Sequence, residues 1–171
     1  MEEIISLNLT ARYASHWGIW EGVRELVQNW HDGTYARLPQ EMSGHVVFQE
    51  DDSQLGCFIA SNPFTNARLG ELRYDAVSRH LVMTNLGVQL NRRALMLGYS
   101  QKSNHRSTIG NFGEGMKVGA LALLRHGCTV EVRSRERWVF ELRAIDGGES
   151  TSCCGAADDA TASSDAVLSV R

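Results

Sequence analysis

A carboxylate, an amide and a second carboxylate follow one another along a stretch whose apolar spacing predicts a helix. Glu25, Asn29 and Asp32 stand at i, i+4 and i+7, which places them along one stripe of that helix. Amide oxygens and bound water suit Mg2+, and a nearby carboxylate can orient and deprotonate a water molecule. Any amphipathic helix also has a polar face, so a purely structural stripe is the alternative.

A glycine-rich turn is the second candidate for chemistry. Gly110, Gly113 and Gly115 precede an apolar run that predicts a helix from about residue 115 to 126. Glycines let the backbone approach an anion closely, and a helix N-terminus directs free N–H groups and its dipole toward that anion. Phosphate is the expected ligand. The turn lacks the Lys-Ser/Thr end of a P-loop, and a tight turn into a core helix is the alternative.

The elements that must position these residues mix helices with hairpin-linked strands. Ser15 is the predicted cap of a first helix over residues 16–33 that ends at Gly33. The broad apolar face of that helix is predicted to be core; it comprises Trp17, Ile19, Trp20, Val23, Leu26, Val27 and Trp30. Strands are predicted at residues 4–9, 46–50, 57–61, 69–75, 81–84, 129–134 and 137–144, and a short helix at 91–97. Because regular βαβ alternation is missing, the order favours an α+β two-layer sandwich with helices on one face of a mostly antiparallel sheet.

Length and composition predict one globular domain. The chain has 171 residues, 43% of them hydrophobic, and a formal net charge of -3, so a nucleic-acid partner is not indicated by charge. The acidic N-terminus and the short apolar runs predict a soluble intracellular protein of the cytoplasm or nucleus, without a membrane partner. We expect the domain over residues 1–145, a disordered low-complexity segment over 146–164, and a final strand or tail over 165–171.

Read together, the two motifs resemble those of the GHKL ATPases, the family of gyrase B, the heat-shock chaperone ATPase, histidine kinases and MutL. Residues 25–33 read ELVQNWHDG, which is similar to the family's N-motif E-L-x-x-N-x-x-D-[A/G]. LGYSQK at 97–102 and IGNFGEG at 109–115 look like its lid and G-motif. The resemblance spans residues 17–135 in the same order. It implies a Bergerat fold, with helices over a mixed sheet of four to five strands and ATP between the helices under a mobile lid.

The resemblance also implies roles for individual residues. Glu25 would be the general base that activates the attacking water, Asn29 the Mg2+ ligand, and Asp32 a pocket residue near the ribose or the phosphates. The phosphate cradle would comprise Gly110, Phe112, Gly113, Glu114, Gly115 and Met116. Lys102 on the lid and Lys117 at the helix start would neutralise phosphate, or each would be a solvated lysine.

The sequence departs from the family pattern at the position that should contact adenine. In place of D-x-G-x-G the chain reads Asn85-Leu86-Gly87-Val88-Gln89. Asn85 keeps an acceptor oxygen and Gly87 keeps one glycine, but Gln89 replaces the second. Asn85 is equally well interpreted as a turn residue at a strand end. The Gly-Thr of the family's later strand is also missing from residues 165–170.

Two functions from different classes follow. The first is an ATP-binding module that slowly hydrolyses ATP to ADP and phosphate with Mg2+ and a mobile lid, and that forms a nucleotide-dependent homodimer. The second is a degenerate GHKL fold that serves as an interaction or dimerisation module without hydrolysis. Glu25 and Asn29 favour the first, whereas Asn85 and Gln89 favour the second.

Overall fold

The computed structural model describes residues 3–36, 38, 45–89, 114–134, 137–145, 148–156 and 166–171. Within these residues the chain forms nine strands and two helices. The strands are β1 (Glu3–Thr10), β2 (Val47–Glu50), β3 (Cys57–Ser61), β4 (Arg68–Asp75), β5 (His80–Asn85), β6 (Val130–Arg133), β7 (Arg137–Ile145), β8 (Gly148–Ala156) and β9 (Ala166–Val170). The helices are α1 (Ile19–Tyr35) and α2 (Gly115–Arg125).

The strands form one sheet in the order β1-β8-β7-β6-β9-β5-β4-β3-β2. Each of these neighbouring pairs is antiparallel. The fold is therefore α+β, as the sequence predicts, but the mixed sheet of four to five strands that the family resemblance implies is wrong. The described sheet has nine strands, and every neighbouring pair in it is antiparallel.

One face of the sheet carries the core. Leu72 pairs with Met83, Met83 with Leu168, and Leu168 with Val132. Directly paired residues point to the same face of a sheet, and these side chains belong to one hydrophobic cluster with Leu26, Trp30, Leu121 and Leu123 of the two helices. Helix α1 packs on β4 and β5, helix α2 packs on β6 and β7, and the helices contact each other. Both helices therefore cover the same face.

Glycines allow the two helices to approach closely. A Cβ built on Gly22 of α1 would lie 2.9 Å from the carbonyl oxygen of Gly119 and 2.8 Å from Cγ of Leu123. A Cβ on Gly119 would lie 3.0 Å from the carbonyl oxygen of Gly22 and 3.1 Å from Cβ of Glu25. These distances are shorter than ordinary van der Waals contact, so any side chain at either position would push the helices apart.

Both ends of α1 differ from the prediction. The N-cap is Gly18 instead of Ser15, and the carboxylate of Glu21 accepts a hydrogen bond from the Gly18 N–H at 2.8 Å. At the other end the helix continues through Gly33 to Tyr35. Glu21 at the third helical position satisfies one of the N–H groups that a helix start leaves unpaired. This hydrogen bond takes the place of the helix cap that the sequence predicts from Ser15.

The apolar face of α1 is also narrower than predicted. Leu26 and Trp30 are buried and Trp17, Val23 and Val27 are partly buried in the core cluster. In contrast, Trp20 is 70% and Ile19 is 50% exposed. The sheet contacts the last part of α1, and α2 contacts one side of its first turns. Trp20, in the first turn, extends beyond both.

The strand β8 corrects a second prediction. Composition predicts disorder over residues 146–164, yet residues 148–156 form β8, which pairs with β1 on one side and β7 on the other. Small polar residues give little strand signal of their own, and here two neighbouring strands supply the ladder. Residues 146–147 and 157–164 lie outside the described part of the chain. The final segment predicted as a strand or tail is strand β9.

Neither of the described helices combines the length with the apolar composition that crossing a bilayer requires.

Candidate functional site

The stripe predicted on α1 faces the protein. The side chain of Glu25 is 16% exposed and that of Asp32 is fully buried. Asn29 lies between them and is half-buried. Its amide nitrogen donates a hydrogen bond of 2.7 Å to the carbonyl oxygen of Glu25. A polar face that served solubility alone would point to solvent, so the burial of Asp32 separates this stripe from an ordinary solvated helix face.

The carboxylate of Glu25 lies at the start of α2. An ideal Cβ on Gly115, the first residue of α2, would overlap its Oε2 atom. The other oxygen, Oε1, accepts a hydrogen bond from the Arg24 guanidinium at 3.1 Å. Gly115 and Gly119 are one helical turn apart and both lie against Glu25. The glycines of α2 therefore make the space in which this carboxylate meets a helix N-terminus.

A lysine is buried in the first turn of α2. Lys117 has no exposed surface. Burial lowers the pKa of its ammonium group below the usual 10.5, and the charge of Glu114 opposes that shift. The N-terminus of a helix carries a partial positive charge, so this lysine adds to a local field that favours anions. The N–H groups of Lys117 and Val118 both bond to the carbonyl oxygen of Glu114, which begins the helix.

The C-terminal half of α1 is joined to the end of β5. The indole Nε1 of Trp30 donates to the carbonyl oxygen of Thr84 at 3.1 Å, and the Nδ2 of Asn85 donates to the carbonyl oxygen of Trp30 at 2.8 Å. A Cβ on Gly33 would lie 2.6 Å from Oδ1 of Asn85. The amide nitrogen of Asn85 therefore serves the contact between helix and sheet.

An aromatic group surrounds Asp32 and the end of α1. The ring of His31 stacks on Phe48 of β2 at 5.0 Å between centroids and 13° between planes. Its Nδ1 lies 3.4 Å from Oδ1 of Asp32. Tyr35 contacts both rings, with its centroid 4.9 Å from that of His31 and 6.4 Å from that of Phe48. Burial together with the negative charge of Asp32 raises the pKa of the Tyr35 hydroxyl. His31 and Tyr35 thus both lie near the buried Asp32, and Phe48 of β2 packs on their rings.

The predicted site residues fall into three groups. Glu25 and Gly115 lie side by side across the two helices, with Glu114, Met116 and Lys117 adjoining Gly115 along the chain, and Asn29 and Asp32 following Glu25 along α1. Asn85 contacts the later part of α1 at Trp30 and Gly33, and Gly87 follows it with a positive φ of 66°. The remaining predicted residues, Lys102, Gly110, Phe112 and Gly113, lie outside the described residues, as does the predicted lid.

Several residues that shape this region were not predicted. Gly22 and Gly119 set the helix spacing, and Trp30, predicted only as a core residue, also donates a hydrogen bond to β5. One signal in the sequence could have found the contact of Gly22 with Gly119. Gly115 and Gly119 stand four residues apart in α2, and Gly119 lies opposite Gly22 of α1. The contact of Trp30 with Thr84 has no comparable signal, since it joins residues that are far apart in the chain.

No group of three or more His, Cys, Asp or Glu side chains with the geometry of a metal site occurs among the described residues. Mg2+ held chiefly by phosphate oxygens and water needs fewer protein ligands than that. Comparisons of the sequence with protein-family models and with curated proteins find no match.

Proposed function

We propose that this chain binds ATP with Mg2+ between α1 and the start of α2, and that it slowly hydrolyses ATP to ADP and phosphate. The observation that carries the proposal is the position of Glu25, whose carboxylate lies against Gly115 at the N-terminus of α2. Asn29 and the buried Asp32 continue the same helix face. The likeness of these residues to the GHKL motifs, and helices on one face of an antiparallel sheet, support a Bergerat-type fold for the domain.

The start of α2 suits phosphate for two independent reasons. The first N–H groups of a helix point toward its N-terminal end, and its dipole attracts anions there. The buried Lys117 adds a cationic group in the first turn. By their likeness to the family, Gly110, Phe112 and Gly113 would extend the cradle, and Lys102 would reach the phosphates from the lid.

Asn29 fits the role of the Mg2+ ligand. Its amide nitrogen donates to the carbonyl oxygen of Glu25, so the amide oxygen is the atom that it can present to a cation. Mg2+ prefers oxygen ligands and keeps several waters when it binds nucleotide phosphates. In that site Asn29 would orient the metal, which supplies positive charge to the phosphate oxygens. Asp32, buried one turn further on, would face the ribose or the phosphates.

Glu25 fits the role of general base. The attacking water would form a bond to the terminal phosphorus of ATP while the bond to the bridging oxygen breaks, and Glu25 would accept the proton of that water. Arg24 holds one carboxylate oxygen at 3.1 Å. Donors at the start of α2 would stabilise charge on the phosphoryl oxygens. Catalysis that rests on positioning and a single base is consistent with slow turnover.

A second candidate function is an interaction or dimerisation module without hydrolysis. The observation that favours this alternative is the hydrogen bonding of Asn85. Its amide nitrogen is committed to the carbonyl oxygen of Trp30, and it stands where the related family has a carboxylate that binds adenine. On this alternative, Glu25 and Asn29 would be remnants of an ancestral nucleotide site. A nucleotide-dependent homodimer remains an expectation for the first function, and an intracellular location remains one for either.

The experiment that tests the proposal is calorimetric titration of the chain with ATP and with ADP, with and without Mg2+. Wild type should bind ATP saturably with Mg2+. Asn29→Ala should lose the Mg2+-dependent part of the affinity, and Gln28→Ala on the same helix should bind like wild type. Absence of binding by folded wild-type protein would overturn the proposal and favour the interaction module.

Turnover is tested separately with Glu25→Gln. The amide keeps the shape of the side chain but cannot accept a proton, so ATP should still bind while phosphate release falls by roughly a hundredfold or more. If Glu25→Gln hydrolyses ATP at the wild-type rate, Glu25 is not the base. Loss of binding in this variant would instead assign Glu25 to the binding site.

A further inference from the structure

Two neighbouring hairpin turns expose apolar side chains far from the proposed nucleotide site. The β2–β3 turn and the β4–β5 turn lie at the same end of the sheet, and they border an open cleft of about 720 Å3. We call four of its lining residues the tip patch: Leu55, Phe58, Tyr74 and Val77. Leu55 is 93% and Val77 is 96% exposed. Exposed apolar residues grouped in this way mark an interaction site more often than isolated ones do.

The tip patch is bordered mainly by carboxylates. Glu50, Asp51, Asp52, Glu71 and Asp75 lie on these two hairpins, with Arg68, Arg73 and Arg79 as the nearby cations. Hydrogen bonds from Ser53 lower the pKa of Asp51, and those from Ser78 and Val77 lower the pKa of Asp75. Acidic groups therefore outnumber basic ones, and the apolar patch has a net negative border at neutral pH.

A second exposed apolar patch has the opposite border. Tyr13, Ile19 and Trp20, which we call the shoulder patch, are respectively 46%, 50% and 70% exposed. Arg12 and Arg24 are exposed beside them in the chain. Arg125 adds a third cation, which donates to the carbonyl oxygen of Tyr13. Two carboxylates stand against these three: Glu25 pairs with Arg24, and Glu21 accepts the N–H of Gly18 in the helix cap, where the helix dipole offsets its charge. The shoulder patch therefore has a net positive border.

The two patches cannot meet within one molecule. The shoulder patch lies where α1 begins, beside the end of α2, which packs on β6 and β7. The tip patch lies on β2 to β5, on the other side of β9 in the sheet. We propose that the tip patch of one copy binds the shoulder patch of a second copy in a head-to-tail contact. Apolar side chains would supply the contact area, and the opposite charges of the two borders would set its direction.

A head-to-tail contact has a distinct consequence for assembly. Each copy keeps one unused patch after pairing, so association continues into longer chains or closed rings. Seven side chains make a smaller surface than a stable dimer needs, which predicts affinity in the micromolar range or weaker. The contribution from charge should decrease at high salt. This inference does not depend on nucleotide binding.

Sedimentation velocity over a wide range of micromolar concentrations tests the inference. The mass of the wild-type chain should rise with concentration, and this rise should shrink in high salt. Trp20→Ser, or Tyr13→Ser as a second shoulder variant, and the double variant Leu55→Ser/Val77→Ser should each raise the dissociation constant about tenfold or more. Phe64→Ser is the matched control, since Phe64 is 65% exposed on the β3–β4 loop outside both patches.

Mixing the variants separates this contact from other kinds of association. Trp20→Ser keeps the tip patch and Leu55→Ser/Val77→Ser keeps the shoulder patch, so an equal mixture should form one-to-one dimers and nothing larger. A wild-type chain that stays monomeric overturns the proposal. So does association that the patch variants leave unchanged, that Phe64→Ser weakens equally, or that the mixture of variants fails to restore.

Discussion

At the scale of single residues, Asn85 shows how one hydrogen-bonding atom limits which side chains a position can hold. Its Nδ2 donates to the carbonyl oxygen of Trp30, and its oxygen is held against Gly33 of the same helix. The direction of this hydrogen bond allows an amide and excludes an ionised carboxylate. The structure thus gives a physical reason for asparagine at a place where the GHKL motif that this segment resembles has aspartate.

Asn85→Asp should therefore destabilise the protein at neutral pH. An ionised carboxylate would face the Trp30 carbonyl without a proton to donate, at a cost of about 1–3 kcal/mol in the free energy of unfolding. The folded state would raise the pKa of this carboxyl above its unfolded value of about 3.9. Stability relative to wild type should then recover below the unfolded pKa and be lost as pH rises through the folded one. Urea unfolding of both proteins at neutral and acidic pH measures this, and an equal deficit at both would contradict it.

A second pH-dependent prediction concerns Lys117. The burial of its side chain determines whether its contribution to stability rises or falls with pH. The folded state lowers the pKa of this lysine below 10.5, so it binds fewer protons than the unfolded chain between the two values. In that alkaline window the contribution of Lys117 to stability increases with pH. Lys117→Met should remove this increase. The check is the pH dependence of the free energy of unfolding for both proteins; identical slopes would show that burial does not perturb the lysine.

At the scale of elements, the contact between α1 and α2 depends on the pair Gly22 and Gly119. Gly22→Ala would insert a methyl group within 3 Å of the Gly119 carbonyl oxygen and of the Leu123 side chain. Overpacking costs about 1–3 kcal/mol, and the better helix propensity of alanine offsets up to about 1 kcal/mol of it. We expect a net loss near 1–2 kcal/mol by thermal or urea unfolding. Gln28→Ala, away from this contact, is the control, and a stabilised Gly22→Ala would disprove the close packing.

The loop that leads into α1 is held by one arginine at the end of α2. The guanidinium of Arg125 donates to the carbonyl oxygens of Ala11, Tyr13, Ala14 and Trp17 at 2.7–3.2 Å. Arg125→Ala would leave several of these carbonyls without a partner, and we expect a loss of about 2–4 kcal/mol in the free energy of unfolding. Arg125→Lys should recover only part of it, because an ammonium group cannot reach four acceptors in a planar arrangement. Full recovery by lysine would argue for charge alone.

The sequence predicts elements better than it predicts their surroundings. Apolar periodicity predicts α1, α2 and eight of the strands closely, because each is a local pattern. It does not predict that Trp20 is exposed, since periodicity identifies a face but not how far the neighbouring elements extend to cover it. It also misses β8, whose residues carry weak strand propensity and are ordered by β1 and β7. Contacts between distant segments decide both cases.

The candidate site also shows the difference between what local sequence patterns predict and what contacts between distant segments decide. The spacing of Glu25, Asn29 and Asp32 predicts one helix face, and the structure confirms that α1 carries all three. That Glu25 lies against Gly115 depends on the Gly22 and Gly119 contact, which requires two helices to be placed together. The commitment of the Asn85 nitrogen to Trp30 likewise depends on the packing of α1 on β5. Sequence identifies the functional groups, and tertiary packing determines which of their atoms remain available.

At the scale of the whole molecule, the sheet depends on its last described strand. β9 lies between β5 and β6 and pairs with both. A chain shortened after residue 165 would lose this strand and leave the two halves of the sheet without their shared ladder. We expect it to lose its near-UV circular dichroism and its cooperative unfolding transition, with wild type as the reference. A cooperative transition in the shortened chain would show that the halves fold independently.

The position of β9 also sets the order in which the protein can acquire its structure. Met83 in β5 finds its partner Leu168 only after the intervening half of the chain has been made. Closing so long a loop before its contacts form costs entropy, and proteins dominated by such distant pairings fold in roughly milliseconds to seconds instead of microseconds. Until that closure, the edges of β5 and β6 that later pair with β9 have no partner. A newly synthesised chain therefore passes through a stage with exposed strand edges, to which chaperones would bind.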